Sequence, residues 1–309
     1  MNLVRSRKSP RRSLNMVPSH LRLAAIVMAA SLWNVSQSFT AHPYNGARST
    51  TALLSSSVEC SVPEVEIVSA MPDPLPMDLK NNYYLLRHGQ STANVAGIIS
   101  SSRSLAYSSK HGLTPTGYEQ GYESSTQLLN LLEEEGAGKL IFVSSPFARA
   151  HQTAQACLDG LLEQHQEALA AKGIELDTSI RLEVDLMERY FGRLDGEQLY
   201  TYAYVWPVDG FDVTQTGFGV ESVAAVATRL RRTIAALEEE HSNTNICLVS
   251  HADVLQICQL YGANAENVGK FSCYRFNNGE VRAMQRTPDS LPEPSPLQPL
   301  IRTTKTQAT

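Results

Sequence analysis

Two histidines in this chain stand at the ends of apolar runs, where side chains are free to do chemistry. His88 follows Tyr83-Tyr84-Leu85-Leu86 and lies between Arg87 and Gly89, and His251 follows Ile246-Cys247-Leu248-Val249 and Ser250. A third run, Leu140-Ile141-Phe142-Val143, ends in Ser144-Ser145-Pro146. Short continuous apolar runs bounded by polar or turn residues read as buried strands, and ligands of open α/β sheets gather beyond the C-terminal strand ends. An imidazole placed there is a nucleophile or base when neutral and a cation when protonated. The adjacent arginine offers a planar fork of donors that suits phosphate or carboxylate. His20, His42, His111, His151, His165 and His241 lack this setting and read as structural or solvated.

The elements needed to hold these residues are legible. Gly117 to Leu132 and Ala148 to Leu162 have helical character, and Val223, Val226, Leu230, Ile234 and Leu237 recur at spacings of three and four, one face of a long helix. Continuous apolar strands alternating with helices predict an α/β fold with both sheet faces covered. Tyr274-Arg275-Phe276, Asn277-Asn278-Gly279 and Glu280-Val281-Arg282 predict a hairpin, because Asn-Gly supplies positive-φ residues. Tyr200, Tyr202, Tyr204 and Trp206 alternate as one face of a strand would.

Charge is distributed unevenly. The chain of 309 residues has a net charge of −5, but seven Lys/Arg precede the first acidic residue, Glu59. From there on 19 basic residues face 31 acidic ones, a net of −12. So acidic a body excludes nucleic acid as a partner, since phosphate contacts dominate that binding; a bound phosphate must be held by a local positive cluster. Five cysteines, Cys60, Cys157, Cys247, Cys258 and Cys273, form no CxxC pair, which argues against a disulfide framework or zinc site and for a reducing compartment.

Residues 1–22 are basic, and Leu23 to Val35 is apolar but too short to span a bilayer comfortably. A Ser/Thr-rich, acid-free stretch follows to Ser57. The pair resembles the bipartite presequence of secondary plastids, with Phe39 as the aromatic residue after the signal cleavage site. The expected address is the plastid stroma, with mitochondrion or secretory pathway as alternatives and no stable membrane insertion after processing. The expected organisation is a presequence at 1–60, a proline-bearing linker at 61–80, one domain at 81–286 and a proline-rich disordered tail at 287–309.

Five ordered segments resemble the histidine phosphatase superfamily, also called the phosphoglycerate mutase-like family. They are Leu86 to Asn94 with Arg87-His88-Gly89, Leu113 to Gln120, Ser144 to Ala154 with Arg149 at the motif's arginine, Leu186 to Gly192, and Val249-Ser250-His251-Ala252. The resemblance spans about residues 82–284 and implies a three-layer α/β/α sandwich with a mostly parallel central sheet. It implies His88 as the nucleophile, forming a phosphohistidine, with Glu188 as proton donor; Glu183 and Asp185 are the alternative acids. Arg87, Arg149 and a protonated His251 would neutralise the phosphate, and Gly89, Asn94 and Ala252 would complete its pocket. No cofactor and no metal are implied. Arg189 and Arg193 read as substrate ligands or surface ion pairs.

The expected partner is a small phosphorylated metabolite, hydrolysed by a phosphatase; the alternative is a phosphotransferase of the cofactor-dependent phosphoglycerate mutase type. A binding protein on the same fold is disfavoured, since it need not keep both arginines and both histidines. Ser250 stands where many members have glycine, Gln90 where mutases have glutamate, no tryptophan follows the first motif, and Ile98 to Gly112 is a Ser-rich loop near the site. These departures weigh against the mutase. Oligomeric state has no signal in the sequence.

Overall fold

Buried strands and one-faced helices alternate along the chain, and that alternation dictates the layers. The computed structural model describes residues 64–132 and 138–297. In chain order it contains β1 (Asn82–Arg87), α1 (Thr92–Ala96), α2 (Pro115–Leu131), β2 (Lys139–Ser144), α3 (Ala148–Gln164), α4 (Gln166–Ala171), β3 (Glu175–Leu182), α5 (Val223–Glu240), β4 (Thr244–Ser250), α6 (Ala252–Gly262) and β5 (Val281–Ala283). The sheet order is β3-β2-β4-β1-β5. β1 to β4 are parallel, and only β5 is antiparallel, on β1. Parallel neighbours require crossovers, and the helices that fill them cover both faces.

Side chains alternate across each strand, so each strand feeds two cores. Tyr83, Leu85, Ile141, Val143, Ile246 and Leu248 face α5 and α6 through Val226, Leu230, Ile234, Val254 and Ile257. Tyr84, Leu86, Leu140, Phe142, Cys247 and Val249 face α2 and α3 through Leu128, Ala150, Ala154 and Leu158. The outcome is the expected three-layer α/β/α sandwich. Cys157, Cys247 and Cys258 are free and buried, and burial holds the thiols of Cys157 and Cys258 up at about 12. Among the described residues no helix is long and apolar enough to cross a membrane.

Four expectations need correction or extension. The hairpin at 274–282 does not form. Only Val281–Ala283 is a strand, paired with β1, while Phe276 is buried and the Asn277-Asn278-Gly279 turn grips the end of β1. Asn278 Nδ2 donates to the His88 carbonyl at 2.9 Å, and Gly279, at φ +71°, donates its N–H to the Arg87 carbonyl at 3.1 Å. Tyr200 to Trp206 is not a strand: Leu199–Tyr204 is a 3-10 helix that leads into a helical turn at Trp206–Asp209. Beyond residue 286 the chain continues on the body, with Leu291 against the core and Ser295 N donating to the Cys273 carbonyl at 2.8 Å. In the proline-bearing stretch before β1, Leu75 is buried and Met71 and Leu79 pack beside it. The expected presequence at 1–60, including Cys60, lies outside the described residues.

Candidate active site

Sheet register assembles the site. Arg87 of β1 pairs with Ser250 of β4, and Ser144 of β2 pairs with Val249. His88 N then donates to the Ser250 carbonyl at 3.0 Å, and Ser145 N to the Val249 carbonyl at 2.9 Å. The three strands release their chains at one level, where His88, Ser145 and His251 meet. The His88 and His251 rings are 5.2 Å apart at 61°. Phe147 packs edge-on against His251, whose Nε2 lies 2.9 Å from Ser145 Oγ.

His88 Nδ1 lies 2.7 Å from the Gly89 carbonyl oxygen. A carbonyl only accepts, so this contact assigns the hydrogen to Nδ1 and the lone pair to Nε2. Arg149 Nε donates to that lone pair at 3.3 Å. Burial first, then the charges of Arg149 and Arg87, hold the imidazole well below its ordinary pKa. The ring is therefore a neutral imidazole at pH 7, with its lone pair on Nε2.

The turn that sets this tautomer depends on a close backbone approach. A Cβ on Gly89 would lie 2.2 Å from the Gly117 carbonyl oxygen, and one on Gly117 would lie 2.1 Å from that of Gln90. Side chains hold the two segments together: Gly89 N donates to Thr153 Oγ1 at 2.9 Å, Gln90 N to Gln120 Oε1 at 2.8 Å, and Thr114 Oγ1 to Gln90 Oε1 at 2.8 Å. Gly89 thus departs from expectation. Its N–H is taken by Thr153, and its contribution is the carbonyl that orients His88.

Arg87, His88, Asn94, Arg149, Glu188 and Ala252 line a cavity of about 230 Å³. Arg87 donates from Nη1 to the Phe276 carbonyl at 2.6 Å, while its buried Nε has no partner. Arg149 is only 3% exposed and its Nη2 donates to the Ser100 carbonyl at 2.8 Å. Burial lowers Arg149 to about 10, which still leaves it charged at neutral pH. Asn94 Oδ1 closes a capping box with Ser91 at the start of α1, leaving Nδ2 as the group it can offer. Ala252 opens α6, whose first N–H groups have no intrahelical partners. Among the described residues no group of three or more His, Cys, Asp or Glu could hold a metal ion.

Of the three candidate acids, only Glu188 lines the cavity. Asp185 is tied to Arg232 at 2.7 Å, and Glu183 accepts from Asp185 N at 3.2 Å in a 3-10 turn. Glu188 Oε2 lies 3.9 Å from His251 Nδ1. Burial and the nearby charge of Asp253 raise the Glu188 carboxyl to about 7, against the opposing pull of Arg149 and Arg87. Burial and the same two histidine-flanking cations lower His251 well below the ordinary value.

The acid segment is anchored to the scaffold on both sides of Glu188. Ser250 Oγ donates to the Leu186 carbonyl at 2.7 Å, which gives this departure from glycine a structural use. Arg189 is neither a substrate ligand nor a surface ion pair. It is fully buried, forked onto Asp209 at 2.7 and 2.8 Å, with Nε on the Glu221 carbonyl. Removing one member of such a buried pair costs about 3–5 kcal/mol, because the other charge is left uncompensated. Arg193 lies over Phe218 instead.

Asp253, Gln256 and Arg275 line the cavity without a clear sign in the sequence, and Ser100 of the Ser-rich loop and Tyr202 and Trp206 of the aromatic stretch, whose place the sequence leaves open, line it too. Tyr202 and Trp206 stack at 4.3 Å with their planes 7° apart, and Trp206 Nε1 donates to Asp253 Oδ2 at 3.1 Å. The Ser-rich loop does reach the site: Ser100 bridges Arg149 and His111, while Ser101 and Ser102 satisfy Asp195. Asp253 carried one signal, its place in the first turn after His251.

A family model described as the histidine phosphatase superfamily (branch 1) matches residues 83–291. No curated protein matches the chain. Among solved structures, the chain is similar to an alpha-ribazole phosphatase of Shigella flexneri at 22% identity and TM-score 0.47, covering 65% of this chain and 89% of that one. A mycobacterial glucosyl-3-phosphoglycerate phosphatase is similar at 19% identity and TM-score 0.49, with 65% and 88% covered. A phosphoserine phosphatase of Entamoeba histolytica is similar at 20% identity and TM-score 0.45, again with 65% and 88% covered.

Proposed function

Because the chain belongs to the histidine phosphatase superfamily, branch 1, and is a hydrolase of that type, we propose that it hydrolyses a small phosphorylated metabolite through a phosphohistidine on His88. The observation that carries this reading is the Nδ1 contact to Gly89, which leaves the Nε2 lone pair turned toward Arg149 in a cavity that Arg87 also lines. Nε2 attacks phosphorus as the ester P–O bond breaks. The Nε of Arg87 and the fork of Arg149 neutralise the equatorial oxygens, where charge spreads in phosphoryl transfer. The Glu188 carboxyl gives its proton to the leaving alkoxide. Its carboxylate then takes a proton from the water that attacks the phosphohistidine, and His88 leaves as neutral imidazole. Burial favours the neutral form of His251; a phosphate dianion beside it favours the protonated form. A phosphoryl label that appears on the chain during turnover and is lost in acid tests this reading. Its absence, with no hydrolysis of p-nitrophenyl phosphate or of a sugar phosphate panel, rejects it. Transfer to 3-phosphoglycerate that depends on a bisphosphate primer, without hydrolysis, would instead identify a mutase.

The rate should vary with pH in a defined direction. Glu188 must be protonated to donate, so kcat declines as pH rises through about 7. The acid limb, set by protonation of His88, falls well below the ordinary histidine range. Steady-state rates of Glu188→Gln, compared with those of the parent from pH 4 to 9, check the assignment. The variant is slower and loses the decline near 7; a variant that keeps that limb shows that another group donates. The same proposal takes residues 1–60 as a plastid address. A fluorescent protein fused behind them accumulates in plastids, and retention in the cytosol rejects the address.

A further inference from the structure

Three arginines line the cavity, and among the described residues none of them has an ion-pair partner. Arg87 and Arg149 stand with His88 at its phosphate end. The third, Arg275, is exposed at the rim between α6 and β5. By contrast, Arg103, Arg181, Arg189, Arg229, Arg232 and Arg282 each have a carboxylate at 3.3 Å or closer. An unpaired surface arginine is common in itself. What distinguishes Arg275 is how it is held: its guanidinium lies over the Trp206 ring, 5.6 Å from the centroid. That ring is fixed in turn by its stack on Tyr202 and by its N–H bond to Asp253. Asp253 spends its own charge on Trp206 and on Arg189, 3.6 Å away. A cation seated on an immobilised indole loses little freedom when it binds an anion.

One phosphoryl group is already provided for by Arg87, Arg149 and the histidine pair. A third cation at the rim is left to meet a charge on the alcohol part of the ester. We propose that Arg275 reads a second anionic group, a carboxylate or a further phosphate, so that the preferred substrates are small phosphomonoesters bearing two anionic groups. This rests on reading the cavity as a phosphomonoesterase site. A volume of about 230 Å³ lies below the range of roughly 300–1,000 Å³ that holds drug-sized ligands, so the alcohol is a short one. A planar guanidinium meets either anion with paired hydrogen bonds.

The test measures kcat/KM of the full chain on matched esters. 3-Phosphoglycerate against glycerol 3-phosphate isolates a carboxylate, and fructose 1,6-bisphosphate against fructose 6-phosphate isolates a second phosphate. The expected result is at least a tenfold preference for the doubly anionic ester in one pair. In Arg275→Gln that preference falls to less than threefold, chiefly through KM, and Arg275→Lys recovers part of it. The pair that shows the preference identifies the anion. Equal rates within both pairs, or a preference that survives Arg275→Gln, overturns the proposal while turnover of p-nitrophenyl phosphate leaves the phosphatase reading standing. No turnover of p-nitrophenyl phosphate by the parent chain rejects both.

Discussion

His88→Ala lowers kcat on p-nitrophenyl phosphate by on the order of 10⁴-fold or more, the scale seen when the nucleophile of a covalent mechanism is removed, and abolishes the acid-labile label. At about 1.36 kcal/mol per tenfold, that is roughly 5.4 kcal/mol of lost transition-state stabilisation. The loss is confined to chemistry. Arg87 keeps its Phe276 anchor and Arg149 its Ser100 anchor, so orthophosphate still binds and inhibits. The variant is also freed of a buried ring whose Nε2 now occupies one arginine donor, so phosphate affinity is held or improved. Steady-state rates and orthophosphate inhibition constants measured side by side decide the matter. A variant retaining a tenth of the parent rate would sink the phosphohistidine mechanism.

Gly89→Ala acts on the fold before it acts on the chemistry. The added methyl meets backbone, not a flexible side-chain end, on the first turn of α2. Neither Gly117 nor Gln90 can yield without disturbing its bond to Thr114 or Gln120. Overpacking of this kind costs roughly 3 kcal/mol, and in a body of this size Tm falls by roughly 6–12 °C. Gly97→Ala is the informative comparison. Gly97 has φ +65° and open space around its missing Cβ, so it carries only the left-handed backbone cost of about 1 kcal/mol. Thermal melts of both variants separate the two causes, and Gly89→Ala melting within about 2 °C of the parent rules out the close-approach argument.

The central strands were legible because each is a continuous apolar run, which only a two-faced burial explains. The edge strand Glu175–Leu182 was not. Leu176, Thr178, Ile180 and Leu182 alternate, and Leu176 and Ile180 do pack on the core, but exposed Glu175, Thr178, Ser179 and Arg181 dilute the pattern. The histidines and Arg149 were legible through motif order. Glu188 was not separable from Glu183 and Asp185 by spacing, because what separates them is which partner each one finds in space. The Asn-Asn-Gly turn was read correctly as a turn, yet its strand partner is β1 and not the residues just before it. Alternating aromatics at 200–206 suit a strand and a 3-10 turn alike, and stacking between Tyr202 and Trp206 is a tertiary fact.

The sheet order has a temporal meaning. β4 lies between β1 and β2, and its register partners on β1 are 163 positions away in the chain, as with Asn82 and Asn245. Until β4 has been synthesised and inserted, β1 and β2 have no shared neighbour, and His88 and Ser145 are not held at a common level. Closing so long a loop is among the slow, entropically costly events of folding. A chain that ends before β4 therefore contains His88, Arg87, Arg149 and Glu188 without the strand that brings them to one level. The common level of His88, Ser145 and His251 is therefore a property of the assembled sheet and not of any one segment.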